Sequence, residues 1–423
     1  MNRSSLSVVA ASVLLLGASA CSTLFPGNSD NTASSTPNGC ATTATKHVAP
    51  GGYYVNGNTI CIGATGQPHQ FHGVDRPSLE WSVQGENLAA SDFQLMAGWK
   101  ANVVRIALNQ DFWLSDSPIA DPAYPATVDA AVKWAEQAGM DVILDLHWSD
   151  AGTLGSCATS CQQLMADQNS ITFWSQVAAT YKDDGRVMFE LYNEPHDVPW
   201  SVWKSGGMTS GGWIAAGMQQ LYDAVRAANA DNLVVIGGLS YAYDLSGVPK
   251  NRISGYNILY ATHPYGGSAD KGPNTWNSNF GFLTATDPVV MTEFGDGQEC
   301  DNGSYTPAIT TYVSSLIAYA DQHQVNWTAW AWFNGGCSFP SLIMDWQGTP
   351  TPPGMLVQTS LASYNQPAPG GKRPGGTGTG GAAGGGDAGA TDGSAGAGGG
   401  THDGAAGAGG GQGGAGGGDA SAG

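Results

Sequence analysis

The feature that most constrains this chain is a series of eight short apolar runs that alternate with stretches of helical periodicity. Most runs are near-continuous in β-branched and aliphatic residues, as is typical of strands buried on both faces of a parallel sheet. They occupy residues 70–75, 102–106, 142–147, 187–194, 233–237, 258–263, 289–293 and 327–332. This alternation predicts the α/β class and, at this length, a single closed (β/α)8 TIM barrel. The alternative is an open doubly wound sheet, but the Gly-rich phosphate turn that it requires does not follow the first run.

The segments between the runs carry the predicted helices. Ser91 or Asp92 is expected to cap the first of them. Another covers residues 130–138 and ends before Gly139, a favourable stop signal. A further helix is expected over residues 214–225, where apolar side chains recur at helical spacing.

Only the middle of the chain has the composition of a folded domain. Residues 1–20 combine an arginine, an apolar run and small residues, which predicts a signal peptide. Residues 21–46 are rich in Ser, Thr, Asn and Pro and are interpreted as a linker. Residues 47–366 form the predicted barrel domain. Residues 367–423 are a Gly- and Ala-rich tail with too little apolar surface to fold, so a disordered tether is expected there.

The seven cysteines, an odd number, indicate three disulfides and one cysteine with another role. Proximity along the chain and in the predicted barrel favours the pairs Cys40–Cys61, Cys157–Cys161 and Cys300–Cys337, although other pairings stay open. Paired cysteines imply an oxidising compartment.

Cys21 directly follows the predicted signal peptide and is the candidate for lipidation. The segment Ala18-Ser19-Ala20-Cys21 is similar to a bacterial lipobox, with Ala18 where Leu is usual, and it also fits an ordinary signal peptidase site. The odd cysteine count favours the lipoprotein. The protein is therefore expected to be secreted or anchored to the cell envelope through a lipid on Cys21.

Charge and residue spacing narrow the choice of partners. The net charge is −19, only 12% of the residues are charged, and no basic cluster is present. Nucleic acid is therefore not an expected partner. No spacing of Cys and His is typical of zinc, so neither a metal nor another cofactor is predicted. The chain is expected to be a monomer.

Polar residues cluster where the predicted strands end. Seven residues lie at or just past such an end: Arg105, His147, Asn193, Glu194, His263, Glu293 and Trp332. In a barrel these ends form one face, on which active sites are built. Glu194 closes the fourth run and Glu293 the seventh, so they are expected to face each other across the mouth. Either glutamate alone is typical of a solvated loop. The pair predicts glycoside hydrolysis, in which one carboxyl protonates the leaving oxygen and the other attacks or activates water.

Two motifs resemble those of a known family. Leu191-Tyr192-Asn193-Glu194-Pro195-His196 and Thr292-Glu293-Phe294-Gly295 are similar to the motifs of glycoside hydrolase family 5, and the resemblance spans about Phe71 to Trp332. It implies a retaining mechanism with Glu194 as acid/base and Glu293 as nucleophile, for which carboxyl groups about 5–5.5 Å apart are expected. The supporting residues that it implies are Arg105, His147, Asn193, His263, Tyr265 and Trp332.

Each of these supporting residues has an expected role that follows from its chemistry. Arg105 and the Tyr265 hydroxyl are expected to keep Glu293 ionised. Trp332 is expected to form the floor under the reacting sugar, because the apolar face of a pyranose stacks on an indole. Trp148, at the end of the third run, is expected to line a neighbouring subsite.

The expected substrate is a β-linked polysaccharide or oligosaccharide. The family resemblance favours an endo-β-1,4-glucanase, with a β-mannanase or another β-glycanase as the alternative. A hypothesis of another class is a catalytically silent carbohydrate-binding surface protein. It is less favoured because Glu194, Glu293 and Arg105 are all present.

Overall fold

Eight parallel strands pair edge to edge and close into a barrel, which confirms the predicted fold class. Each strand pairs with the next one along the chain, and the last pairs with the first. In chain order the barrel strands are β1 (His72–Arg76), β2 (Val103–Asn109), β3 (Asp141–Trp148), β4 (Val187–Glu190), β5 (Val234–Gly237), β6 (Ile258–Thr262), β7 (Val289–Met291) and β8 (Asn326–Ala329).

The computed structural model describes residues 40, 47–157, 161–266, 271–295, 300–301, 304–305, 307–337 and 339–364. They all fall within one compact unit, Met1–Gln366. The predicted signal peptide, the lipidation candidate Cys21, most of the linker and the Gly-rich tail lie outside the described residues.

Three strands end two or more residues before the ends that their apolar runs predict. β4 ends at Glu190, four residues before Glu194. β7 ends at Met291, two residues before Glu293. β8 ends at Ala329. Ladder pairing stops at these positions, so the chain beyond them leaves the barrel wall and carries its side chains over the mouth.

Helices follow most of the strands and cover the outside of the barrel. They are α1 (Ala90–Gly98), α2 (Gln110–Trp113), α3 (Tyr124–Gln137), α4 (Gln168–Tyr181), α5 (Trp200–Ser205), α6 (Met218–Ala227), α7 (Val248–Asn251), α8 (Pro273–Asn279), α9 (Pro307–His323) and α10 (Pro352–Tyr364), with a 3-10 turn at Gly281–Ala285. Among the described residues, no helix combines the length and the apolar character needed to cross a membrane.

The predicted cap of α1 is wrong. The helix begins at Ala90 without any side-chain cap, so neither Ser91 nor Asp92 serves that role. Asp92 is buried instead, and its carboxylate accepts hydrogen bonds from Arg76 (2.5 Å) and from the Trp332 indole (2.6 Å). A buried guanidinium needs a paired anion more than a helix end needs a cap.

Short antiparallel strands lie outside the barrel. They are Tyr53–Asn56, Thr59–Ile62 and Pro68–His69 in one sheet, Gly207–Met208 with Ile214–Ala215, and Cys300–Asp301 with Ser304–Tyr305. The pairing of Gly207–Met208 with Ile214–Ala215 explains why α6 starts at Met218 and not at Ile214. The first residues of the predicted helix belong to this ladder instead.

The N-terminal hairpin closes the face of the barrel opposite the mouth. Ile60 packs in a buried cluster with side chains from the amino-terminal part of the barrel, among them Phe71, Val103, Ile143, Met188 and Val290. The Tyr53 hydroxyl donates to Asp141, the first residue of β3, at 2.7 Å. The last helix returns to the same face, where the Tyr364 ring stacks on His72 at 3.8 Å between centroids.

Two of the three predicted disulfides are present, Cys40–Cys61 and Cys157–Cys161. The first ties the hairpin strand Thr59–Ile62 to Cys40. Cys337 is also disulfide-bonded, while the side chain of its predicted partner, Cys300, lies outside what the structure describes.

We expect Gly73→Ala to destabilise the barrel by about 3 kcal/mol or more, because the close pairing of β1 with β2 has no room for a side chain. A Cβ at this position meets the Val103 carbonyl oxygen at 1.8 Å. Gly98→Ala, at the end of α1, is the matched control, since a Cβ there meets nothing within 4 Å. Its expected effect is neutral to stabilising, by up to about 1 kcal/mol. Urea unfolding of both variants checks this, and equal stabilities would contradict it.

Candidate active site

The mouth of the barrel brings together most of the polar residues predicted from the strand ends. His147 lies near the end of β3, and Arg105 points inward from within β2. The remaining ones follow their strands: Asn193 and Glu194 after β4, His263 and Tyr265 after β6, and Glu293 after β7. Arg105 and His263 are fully buried, whereas the Glu194 side chain keeps 16% of its surface exposed.

Arg105 is the electrostatic centre of this group. Its guanidinium lies 2.5 Å from Glu190, 2.8 Å from Glu293, 3.0 Å from Asp145 and 3.6 Å from Asp75. These carboxylates come from four different strands or their ends, which places the cation on the axis of the barrel. A buried charge costs several kcal/mol unless it is paired, so the partners stabilise one another.

Glu293 is held as an anion. Its Oε1 accepts from Arg105 at 2.8 Å, and its Oε2 accepts from the Tyr265 hydroxyl at 2.7 Å. Burial alone raises the pKa of the Glu293 carboxyl, but the charges of His263, Arg105 and His147 and the Tyr265 hydrogen bond outweigh it and lower the pKa to about 2. The carboxylate is therefore ionised at any physiological pH and available as a nucleophile.

Asp145 orients His147. The His147 Nδ1 lies 2.7 Å from the Asp145 carboxylate, and the Nε2 lies 3.4 Å from Asn193 Nδ2. Burial lowers the pKa of His147, but the hydrogen bond and charge of Asp145, aided by Glu80 and Glu293, raise it to about 9. His147 therefore adds a second positive charge close to Glu293.

His263 joins the two glutamates to the barrel interior. Its Nδ1 lies 2.9 Å from Glu194 Oε1, and its Nε2 lies 3.0 Å from the Thr292 hydroxyl, which donates in turn to Glu190 at 2.6 Å. Burial lowers the pKa of His263, but Glu293, Glu190 and Glu194 raise it to about 10. The imidazolium thus fixes Oε1 of Glu194, while Oε2 accepts from the side-chain amide of Gln162.

The two carboxyl groups are close. One oxygen of Glu194, one of Glu293 and a ring nitrogen of His263 all lie within 4.8 Å of one another. These three groups have the ligand types for a cation, but both ring nitrogens of His263 already have hydrogen-bond partners and the ring carries a charge. A protonated ring is a poor metal ligand, so the three groups are better suited to holding and transferring a proton than to binding a cation.

Sequence reasoning missed three buried acids of the site, Asp75, Asp145 and Glu190. Each lies inside an apolar run, where it was treated only as part of a strand. The available signal was its position: an acidic residue in a strand buried on both faces needs a buried cation. Burial raises the pKa of Asp75 well above its usual range, whereas Arg105 and His263 outweigh burial at Glu190 and lower its pKa.

The structure does not fit the prediction that Trp332 forms the floor under the reacting sugar. The Trp332 side chain is fully buried, donates to Asp92 at 2.6 Å and packs edge-on against Trp99 at 4.7 Å. It has no surface to offer to a ligand. Trp330 stands parallel to the His147 ring, at 5.4 Å between centroids and an interplanar angle of 10°, and so borders the mouth.

Further aromatic rings extend from Trp330 along one side of the mouth. Trp81 lies 6.4 Å from Trp148, 5.5 Å from Phe333 and 6.4 Å from Phe339. Phe339 in turn lies 5.7 Å from Trp330. All but Trp330 are half-buried, and they form what we call the aromatic wall: Trp81, Trp148, Trp330, Phe333 and Phe339. Other tryptophans of the chain, such as Trp203 and Trp276, are buried in the core.

The fold is shared with known proteins. The structure is similar to the β-glucanase SdGluc5_26A from Saccharophagus degradans, with a TM-score of 0.60 and 23% identity over 76% of this chain and 96% of that one. It is also similar to the endoglucanase Cel5A of Thermobifida fusca, with a TM-score of 0.58 and 20% identity over 74% and 97%. These likenesses place the chain among (β/α)8 barrels.

Sequence comparison supplies the family. A family model described as Cellulase (glycosyl hydrolase family 5) matches residues 62–336. Endoglucanase N of Pectobacterium atrosepticum is 24% identical over 65% of this chain and 56% of its own length. Endoglucanase CelA of Streptomyces lividans is 28% identical over 53% and 45%. The protein is a glycoside hydrolase that belongs to family 5. The chain spans about half the length of these curated relatives.

Tyr265→Phe is expected to shift the acidic limb of the kcat/KM profile to higher pH. Removing the donor raises the pKa of Glu293, so the nucleophile is protonated at a pH where the wild-type carboxylate is still ionised. A shift of about one pH unit and a loss of about tenfold or more in kcat are expected for a hydrogen bond to a charged group.

The profile is to be measured with any substrate that the wild-type chain cleaves. Tyr181→Phe, buried at the end of α4, serves as the control and should leave the profile in place. An acidic limb that does not move in Tyr265→Phe would show that the Tyr265 hydroxyl does not lower the pKa of Glu293.

Proposed function

We propose that the protein is a retaining endo-β-1,4-glucanase. The observation that carries the proposal is the pair Glu194 and Glu293, with one oxygen of each within 4.8 Å at the mouth of the barrel. Retaining enzymes hold their carboxyl groups roughly 5–5.5 Å apart, whereas inverting enzymes need about 6.5–9.5 Å to admit a water molecule. The short separation therefore favours direct attack by one carboxylate.

In the first step Glu293 attacks the anomeric carbon. Glu194 gives its proton to the glycosidic oxygen, the bond to the leaving sugar breaks, and an ester to Glu293 forms. The ionised state of Glu293 is secured by Arg105 and Tyr265. When the ester forms, this negative charge is lost.

In the second step Glu194 acts as a base. It takes a proton from water, which attacks the same carbon, and the ester bond breaks with its electron pair returning to Glu293. Loss of the neighbouring charge in the ester favours the ionised form of Glu194, which the second step requires. One residue can therefore serve as acid first and base second.

Substrate contacts follow from the donors and rings around this pair. Asn193 accepts from Arg105 through Oδ1 at 2.7 Å, which turns its Nδ2 toward the cleft, where it can donate to a sugar hydroxyl. Trp330 replaces Trp332 as the proposed surface under the reacting sugar. Trp148 and the rest of the aromatic wall are proposed to stack on neighbouring sugars.

The names of the relatives favour a β-glucan over a mannan. Several are endoglucanases, and the Saccharophagus degradans β-glucanase was crystallised with cellotetraose. A β-mannanase of the same family remains the second candidate. The catalytically silent binder is disfavoured by the complete carboxyl pair and by the buried charges that support it.

The setting of the enzyme is proposed from the sequence. The predicted signal peptide and the paired cysteines favour secretion, and Cys21 favours a lipid anchor. Residues 47–366 are proposed as the catalytic domain, the Gly-rich tail as a tether, and the protein as a monomer.

Release of reducing sugar from carboxymethyl-cellulose, barley β-glucan and locust-bean mannan tests the substrate. Activity on both glucans is expected. Glu293→Ala and Glu194→Ala are expected to lower kcat by at least about 100-fold, the lower range for general acid–base catalysis. Activity on mannan alone would replace β-glucan by β-mannan as the proposed substrate and would leave the proposed mechanism unchanged.

Azide separates the two roles. Added to Glu194→Ala it should restore turnover of an aryl β-cellobioside and yield the β-glycosyl azide, because azide replaces water at the ester. Added to Glu293→Ala it should yield the α-glycosyl azide, because azide then replaces the nucleophile. The reverse pattern would exchange the two assignments.

Variants of the two neighbouring tryptophans test the corrected platform. Trp330→Ala is expected to lower kcat/KM about tenfold and, because the side chain is only 8% exposed, also to lower the unfolding free energy by about 3 kcal/mol. Trp332→Ala is expected to cost about 3–5 kcal/mol of stability, because it empties a packed site. Equal losses of kcat/KM without any loss of stability in Trp332→Ala would restore the original assignment.

A further inference from the structure

Gln162 lies outside both sequence motifs, yet its side chain contacts two of their residues. Its Nε2 donates a hydrogen bond to Glu194 Oε2, and its Oε1 lies 3.5 Å from Asn193 Nδ2. The residue is exposed, so this amide stands at the surface of the mouth beside the acid/base.

The main chain before Gln162 is fixed to the barrel. Cys161 is bonded to Cys157, which is fully buried. The Cys157 N–H donates to Asp111 at 3.1 Å, and its carbonyl accepts from the Asn109 amide at 3.0 Å. Asn109 is the last residue of β2, so the disulfide links Gln162 to the wall of the barrel.

The main chain after Gln162 is fixed as well. The Gln163 carbonyl accepts from the Tyr192 hydroxyl at 2.6 Å, and the Leu164 carbonyl accepts from the His196 N–H at 3.0 Å. Tyr192 and His196 flank Glu194 in sequence. Gln162 and Glu194 are therefore held by one local framework, and their contact does not depend on a free loop.

The amide has a defined direction. Arg105 carries only donors, so the Asn193 oxygen must face it, and it accepts at 2.7 Å. Asn193 therefore turns its NH2 group toward Gln162 Oε1. Gln162 in turn presents its own NH2 group to Glu194. Arg105, which contacts Glu293, is thus connected to Glu194 through the oriented amides of Asn193 and Gln162.

Both oxygens of Glu194 face donors. Gln162 donates to Oε2, and His263 Nδ1 lies 2.9 Å from Oε1. The two donors fix the plane of the carboxyl group. Each oxygen retains a second lone pair that can accept the proton of a water molecule.

We propose that Gln162 is a positioning residue for the second step, hydrolysis of the glycosyl ester. This inference rests on the proposed retaining mechanism. In that step water loses a proton to Glu194, its oxygen bonds to the anomeric carbon, and the ester electron pair returns to Glu293. Gln162 holds the Glu194 carboxylate in place for this proton transfer, and it yields Oε2 when Glu194 carries the proton in the first step.

The test uses the full chain and 2,4-dinitrophenyl β-cellobioside. Its leaving group needs no proton, so kcat/KM reports ester formation and kcat reports ester hydrolysis when a burst of dinitrophenolate precedes the steady state. Gln162→Ala is expected to keep the burst and to keep kcat/KM within about twofold, and to lower kcat about tenfold, as for the loss of a hydrogen bond to a charged group.

A second readout uses cellotetraose, whose leaving group does need a proton. Its kcat/KM should stay within about twofold of the wild type in Gln162→Ala, because ester formation precedes the step in which Gln162 acts. Gln162→Glu, which replaces the donor by an acceptor, should lower kcat with the dinitrophenyl substrate at least as much as Gln162→Ala. Gln163→Ala is the control, because the Gln163 contacts described above run through its main chain, and it should match the wild type in both assays.

An unchanged kcat in Gln162→Ala overturns the inference, and so does an equal fall in kcat and kcat/KM with either substrate, which indicates general damage to the loop. Wild-type protein that releases no dinitrophenolate and cleaves no β-glucan defeats the proposed function itself. The two failures are therefore distinguishable.

Discussion

The buried guanidinium of Arg105 is the charge on which the site depends. It neutralises acids contributed by β1, β3, β4 and the end of β7. With His147 and His263 protonated, three positive groups face Asp145, Glu190 and Glu293, while burial favours the neutral form of Asp75. Positive and negative groups are thus paired in the interior of the mouth, and such a cluster can persist in a region of low dielectric constant.

This balance makes stability and chemistry inseparable at several positions. Removing Asp145 or Glu190 leaves Arg105 partly unpaired and also withdraws support from His147 or His263, which orient the reactive carboxyls. Breaking a buried pair by deleting one partner typically costs about 3–5 kcal/mol. Substitutions at these acids therefore act on folding before they act on the reaction. Glu194 is the exception, since it is partly exposed and outside the arginine cluster.

The sequence was sufficient for the barrel and for the two glutamates, because buried strands and strand-end motifs are local signals. It was insufficient where the outcome depends on the path of the chain beyond a strand. Trp330 and Trp332 are two residues apart and would share a face in a continuous strand. Because β8 ends at Ala329, they point to different surroundings. No sequence pattern indicated that Gln162 contacts Glu194, since this contact depends on a disulfide and on hydrogen bonds to residues distant in sequence.

The hairpin that closes the base of the barrel also determines how the enzyme can be displayed. Cys40 is bonded to the hairpin, and Tyr364, the last described residue, stacks on the first residue of β1. Cys40 and Tyr364 therefore both lie at the face opposite the cleft. A support or a label attached to the barrel domain next to either of these residues should accordingly leave the cleft accessible to substrate.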